Sequence, residues 1–426
     1  MLEVFRNAWR IPDLRKKILF TVFIIVVYRF GAQIQVPFVD VAVFSQAFLS
    51  QAGGIFGMFD MMSGGAFSRS TIFALSIQPY INASIIMQLL TVGIPALERM
   101  QKEGGEEGRK KIASITRYAT VGLALLMGFG YFTYINSIDG ALVGAAEGNF
   151  WCGAVIVLSF TAGSAFIMWL GEQVTEFGVG NGISIILFAS IVSRGPSMVS
   201  AAVGLAQSNQ WALLVGVVVA AVAAVVFVVF ITNAERRVPI QYSKRMIGRK
   251  MYGGQSTHLP LKVNMSGVMP IIFAQAIASF PITIAAFISK EANDAVDRWF
   301  GYQSVLYIVV YFALIIGFAY FYQSIQFNPV EIANNLKQSA GFIPGFRPGR
   351  PTSDFIKKVL NKITLFGALF LGVIAVVPIV MSMFSDSLRG LALGGTSLLI
   401  VVGVALETVK AIEAQMVMRH HKGFLE

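Results

Sequence analysis

Residues 58–90 read MFDMMSGGAFSRSTIFALSIQPYINASIIMQLL, and they join two unlike pieces. The first third is too short, too polar and too rich in glycine to cross a bilayer, whereas the remainder is apolar enough to do so. A helix needs about 20 residues at 1.5 Å each to cross a hydrocarbon core of about 30 Å. A broken half-helix ahead of a competent span therefore calls for a reason, and the rest of the chain supplies its setting.

Of 426 residues, 56% are hydrophobic and 13% charged, with a mean hydropathy of +0.70. Those totals exceed what a soluble domain carries and indicate a polytopic membrane protein. Apolar runs of spanning length lie near 18–36, 72–93, 113–135, 152–170, 182–204, 211–232, 266–289, 304–325, 363–383 and 396–412, which makes ten helical spans and an all-α fold. Arg15, Lys16 and Lys17 precede the first run in the manner of a signal peptide. That run is too long for one and lacks a small-residue cleavage site, so it reads as a retained span. The single cysteine, Cys152, excludes an internal disulfide. His258, His420 and His421 all fall in polar loop or tail sequence, which gives a metal site no support.

Lys and Arg are sharply partitioned. With the N-terminus inside, 26 of the 33 fall in cytoplasmic segments, 5 outside (Arg69, Arg194, Lys290, Arg298, Arg389) and 2 within spans (Arg29, Arg117). Both termini are then expected in the cytoplasm. The same partition accounts for the net charge of +11 and the pI near 9.7 without nucleic acid, DNA included. Ten spans divide into five and five, residues 1–205 and 206–426. An odd number per half obliges two like halves to face opposite ways, around a path at the midplane. The link LAQSNQW, 205–211, is the expected hinge.

Two cytoplasmic loops are longer than joining helices requires. ERRVPIQYSKRMIGRKMYGGQSTHLPLKVN, 235–264, alternates around a Gly-Gly turn and predicts a hairpin that displays Arg245, Arg249 and Lys250. In the second, 327–364, the run IPGFRPGRP forbids helix and fixes a rigid turn that presents Arg347 and Arg350. Acidic protein surfaces, anionic lipid heads and RNA phosphate all suit such loops.

Catalytic constellations are absent. No His lies in a span, no nucleophile has a basic partner at depth, and GVGNGIS, 178–184, lacks the Lys of a phosphate loop. It reads as a tight turn in which Asn181 caps the next helix. The acids a coupled carrier needs at the midplane sit at loop edges instead (Glu172, Glu176, Glu291, Asp294, Asp297), with Glu407 near a cytoplasmic end. In LSIQPYINASIIMQ, Pro79 breaks or kinks the helix, and Ile77 and Ile81 share a face. On spacing alone those isoleucines are ordinary core or lipid-facing residues. The amides Gln78, Asn82 and Gln88, with Ser84, place this span beside water or a partner helix.

Five segments in order, FDMMSGGAFSRSTIFALSIQPYINASIIMQLLT, MWLGEQVTEFGVGNGISIIL, QSTHLPLKVNMSGVMPIIFA, FNPVEIANNLKQSAGFIPGFRPG and GGTSLLIVVGV, resemble the signature regions of the bacterial SecY family, the channel subunit of the protein translocase. The resemblance runs from the first span to the last. It implies an hourglass pore between two inverted five-helix halves, closed by an aliphatic ring of Ile77, Ile81, Leu187, Ile272 and Ile400. Leu187 stands where an isoleucine is expected, a change that keeps volume and polarity. The resemblance further implies an outer plug, within about 57–68, made of Phe59, Asp60, Met61, Met62, Ser63, Gly64, Gly65, Ala66 and Phe67. As a helix of two or three turns loosened by its glycines it would be weakly packed, with Asp60 in a water-filled funnel.

A lateral gate between the second and seventh spans would carry Gln88 and Asn264, joined by Thr116, with Ser84 and Ala274 on facing turns. The two basic loops would dock the SecA ATPase and the ribosome, Arg347 foremost. SecE is implied as an obligate partner and SecG as an accessory one, in the cytoplasmic membrane of a bacterium. The substrates implied are unfolded secretory polypeptides with signal sequences, and the energy comes from the docked partner rather than from a nucleotide or cofactor site on this chain.

Overall fold

A computed structural model describes residues 2–50, 55–144, 148–207, 209, 211–242, 245–247, 250–252, 256–264, 267–288, 290–301, 304–384 and 394–422. Helix α1 (Leu2–Arg10) leads into α2 (Pro12–Gly31), the first span. There follow α3 (Val41–Ser50), α4 (Ile55–Met62), α5 (Gln78–Gly93), α6 (Pro95–Lys102), α7 (Gly105–Asn136), α8 (Phe150–Phe177), α9 (Gly182–Val192), α10 (Gly195–Gln207) and α11 (Trp211–Asn233). Beyond the first long loop come α12 (Met269–Ile288), α13 (Lys290–Phe300), α14 (Val305–Gln326), α15 (Pro329–Gln338), α16 (Arg350–Phe384) and α17 (Gly394–Lys422). Each of the ten predicted spans falls on one of these helices, the fifth being divided between α9 and α10. The predicted hinge at 205–211 contains positions outside the described residues.

Among the described residues, six helical stretches are long and apolar enough to cross unaided: Gly105–Asn136, Phe150–Phe177, Gly182–Gly204, Leu214–Asn233, Val305–Gln338 and Arg350–Met381. The remaining spans fall on α2, α5, α12 and α17. Exposed Phe150, Trp151, Trp211 and Trp299 stand at the helix ends that the charge pattern puts outside. Amphipathic rings of this kind settle at the headgroup level.

The second span departs from expectation. Helix begins at Gln78, so Pro79 occupies the first turn, where its missing N–H costs nothing, and it kinks no helix. At the other end Pro95 forces Ile94 into the extended region, and α6 leaves α5 at 103°. Sixteen residues cover only about 24 Å. The irregular run 63–77 precedes it, and its backbone bonds to protein: Ile72 N–H to Ile34 O at 3.0 Å, Val36 N–H to Ser70 O at 3.0 Å, and Ser164 Oγ–H to Ser76 O at 3.1 Å. Non-helical backbone at membrane depth persists only when protein satisfies it in this way.

The two long loops form one body. Strand β1 (Glu235–Tyr242) pairs antiparallel with β4 (Ser256–Lys262), from Glu235 opposite Lys262 to Gln241 opposite Ser256. The short strands β2 (Arg245–Ile247) and β3 (Lys250–Tyr252) pair between them. The hairpin was legible, but β5 (Gly341–Phe342) of the second loop adds to the other edge of β1. Val238, Ile240 and Leu261 then share an apolar core with Leu336, Ile343, Ile356 and Leu360. The hairpin is thus braced on α15 and α16 rather than standing free. At its base Glu407 of α17 accepts the Val268 N–H ahead of α12, and Lys410 Nζ donates to Thr232 O at the end of α11, 3.3 Å away. Gly267 makes the approach possible: its φ is +62°, and a Cβ there would stand 1.9 Å from Glu407 Oε1.

Candidate functional site

Four helices deliver the predicted ring. Ile77 precedes α5 as its N-cap, Ile81 lies one turn on, and Leu187, Ile272 and Ile400 come from α9, α12 and α17. All five are buried, the most exposed at 3%, and all belong to one continuous apolar cluster with Ile185, Ile186, Ile271 and Leu399. Asn181 starts α9 as predicted, accepting the Ile183 N–H at 3.1 Å. At its first residue, Gly182, a Cβ would stand 1.9 Å from Gly171 O, so glycine is what lets α9 pack against α8.

The segment read as the plug packs into the same apolar cluster through Met62 and Ala66. Helix α4 ends at Met62, and Gly64 (φ +68°) and Gly65 (φ +85°) turn the chain back. The Gly65 N–H bonds to Asp60 O at 2.8 Å, and the Phe67 N–H to Ser63 Oγ at 3.0 Å. The glycines close the helix with a bonded turn instead of loosening it. Phe67 then packs on Tyr131 with ring centroids 4.3 Å apart, and the Tyr131 hydroxyl donates to Phe67 O. Met61, Met62, Ser63, Ala66 and Phe67 are all buried. The expectation of a weakly packed element is therefore corrected, because the turn satisfies its own backbone and its side chains enter two apolar clusters.

Asp60 is the second correction. It does not face a wet funnel: it is 3% exposed, with Oδ2 2.7 Å from Arg194 Nη1 and Oδ1 accepting the Ser68 N–H at 2.8 Å. Burial of a carboxylate is tolerable when it is paired and fully hydrogen-bonded. The seat also has polar residues that sequence reading had not assigned to it. Gln78 Nε2 donates to Met62 Sδ at 3.0 Å, Gln275 Nε2 lies 3.8 Å from the same sulfur, and Ser397 Oγ lies 3.3 Å from Met61 Sδ.

At the predicted gate, α5 meets α12, with α7 and α14 adjoining. Gln88 is an interhelical residue there, but its partner is Tyr322 of α14, whose hydroxyl donates to Gln88 Oε1 at 2.8 Å. The amide nitrogen of Gln88 turns back to Ser84 Oγ at 3.4 Å. Thr116 bonds within its own helix, to Ile112 O at 2.9 Å. Asn264 is half-buried just ahead of α12, and Ala274 is fully buried within it. Arg347 is exposed at the tip of the Pro-Gly turn, its carbonyl held by Thr352 Oγ1 at 2.8 Å. Arg350 is likewise exposed, but it opens α16 rather than continuing the turn. Beside it a cleft of about 690 Å³ runs between α14, α15 and α16. Arg245 and Lys250 lie on β2 and β3, and Arg249 falls outside the described residues.

A model of the SecY family matches residues 71–409. The chain belongs to the SecY family. Protein translocase subunit SecY of Streptomyces griseus is 46% identical, and that of Mycobacterium tuberculosis 42%, each aligned over the whole of both chains. Among solved structures, a protein-conducting channel aligns over 95% of this chain and 93% of its own, with a TM-score of 0.66 at 18% identity. A SecY channel whose plug domain stabilises the closed state gives 0.63 at 16%, over 95% and 92%. Sec61 in a canine ribosome–channel complex gives 0.60 at 17%, over 95% and 93%. Family membership and fold together make this a multi-pass membrane protein.

The Tyr322 hydroxyl is one of the polar contacts joining α14 to α5, and an interhelical bond of this kind contributes about 1 kcal/mol. Tyr322→Phe should therefore enlarge the separated population at the seam about fivefold. Spin labels on the exposed Ile86 and Phe280, in a chain with Cys152 replaced by Ser, measure this as a shift to longer distances. Identical distributions in both proteins would remove Tyr322 from the gate.

Proposed function

We propose that this chain is a protein-conducting channel, which passes unfolded secretory polypeptides across the cytoplasmic membrane and releases apolar segments sideways into it. One observation supports the reading: Ile77, Ile81, Leu187, Ile272 and Ile400, delivered by four helices, are buried in one apolar cluster that also takes in Met62 and Ala66 of the 59–67 segment. A narrow apolar throat dewets and so excludes ions, yet it yields around an extended chain without gripping it. A polar throat would hold the passenger or leak.

The chain divides into halves 1–205 and 206–426, and the seam between them opens at α5 and α12. A signal sequence that buries several large apolar side chains gains more than the roughly 1 kcal/mol of each seam bond, so it opens the gate by binding there. The braced sheet and the Arg347 turn form the docking surface for a cytosolic motor, SecA, or for a ribosome, together with Arg245, Arg249, Lys250 and Arg350. Relatives named as translocase subunits and the likeness to a channel solved on a ribosome support this assignment. SecE and SecG complete the membrane complex, anionic lipid meets the basic cytoplasmic face, and both termini lie in the cytoplasm. The driving free energy comes from the docked partner.

Deletion of residues 60–67 should raise ion conductance through the reconstituted complex in planar bilayers. A conductance equal to that of the intact channel would contradict the plug assignment. Arg347→Glu should abolish motor-driven export in proteoliposomes while the protein still folds and inserts; near-normal export would place the docking surface elsewhere.

A further inference from the structure

We propose that Arg194 is the latch of the plug, and that its bond to Asp60 sets the balance between the sealed and unsealed channel. The proposal rests on the channel reading above and assigns the residue that positions the moving part. Asp60 lies within the plug helix α4, with a side chain 5% exposed. Arg194 lies at the break between α9 and α10, 30% exposed, and their closest atoms are 2.7 Å apart. The pairing spans 134 residues of sequence.

Surrounding contacts converge on the same wall. Arg29 of α2 donates to Gly64 O at 3.3 Å. Gly64 itself rests on the end of α9, where a Cβ would stand 2.6 Å from Ser193 Oγ and 2.8 Å from Ser190 O. The Ser190 hydroxyl is in turn bonded to Tyr28 of α2 at 2.7 Å. Two charged contacts of the plug, from Arg29 and Arg194, thus come from α2 and the α9–α10 break. Its polar contacts with α12 and α17 include those of Gln275 and Ser397 to the sulfurs of Met62 and Met61, at 3.3–3.8 Å. Sulfur is a weak acceptor, so the two walls hold the plug unequally.

The chemistry suits a part that must both stay and leave. With the plug seated, removing Arg194 strands the Asp60 carboxylate in a dry pocket, whereas removing Asp60 costs the partly exposed Arg194 only its partner; both costs favour keeping the pair. Once the plug withdraws, both groups reach water on the outer side and regain hydration, which offsets most of the lost bond. The second carboxylate oxygen extends the hold to the following turn, because it accepts the Ser68 N–H. The latch thereby locks the helix and the glycine turn as one unit.

Conductance of the reconstituted complex in planar bilayers tests this through a mutant cycle. Arg194→Gln and Asp60→Asn should each raise the resting leak by at least about tenfold, the scale of one charge-assisted hydrogen bond. The double variant should leak no more than the worse single one, since the second change removes nothing further. In a chain lacking 60–67, Arg194→Gln should add no leak. If the 60–67 deletion leaks while Arg194→Gln and Asp60→Asn both stay sealed, the latch is refuted and the channel reading stands. Additive effects in the double variant would likewise refute the pairing. If the deletion itself does not leak, the plug assignment fails and the latch with it, while the collar is left as the seal. Should Arg194→Gln misfold, Asp60→Asn carries the test, because it alters only the plug side.

Discussion

Backbone polar groups at bilayer depth have no water to turn to, and the architecture around the collar follows from how the run 63–77 meets that constraint. An uninterrupted second span would have satisfied itself as a helix and left no room for a plug. Instead the chain bonds this run to the segment after α2, to α8 and to its own turns. The result places Ile77 at the very start of α5, facing the collar, and leaves α4 directly against it. The irregular stretch, the short helix and the seated plug are one solution to one constraint.

In the proposed channel the seal has two kinds of component with different tolerances. The collar is made of close-packed aliphatic side chains and has no directional bonds, so it can part around a passing chain and reclose. The plug is held by directional bonds to fixed partners, the Asp60 to Arg194 pair above all, and so it has a defined seat. An apolar ring alone would depend on its diameter alone. Adding a bonded stopper means that opening requires a discrete event rather than a fluctuation in ring size.

Much of this was legible in the sequence because local patterns carry it. The apolar runs fall on the helices, alternation in RVPIQY gave the hairpin, and the five residues named from the family segments lie in one apolar cluster. What escaped depends on distant pairing. Asp60 read as solvent-facing because nothing near it carries a compensating charge, and its partner lies 134 residues away. The Tyr322 to Gln88 bond spans 234 residues. Strand β5 is two residues long and exists only because the edge of β1 is there to receive it. In sequence the glycines of 59–67 suggest a loose segment, whereas their positive φ closes a bonded turn. A signal for Arg194 did exist: it is one of only five basic residues that the charge partition puts outside, and it needed an acid.

The central claim is that an aliphatic collar seals the resting protein. The most direct test is the resting ion conductance of the reconstituted complex after replacing Ile81 and Ile272 together by Ser, with the plug left intact. The account predicts that the throat wets and that ion flux rises well above that of the unaltered channel. A complex that remains as tight to ions as before would show that the collar is ordinary core packing and that the seal lies elsewhere.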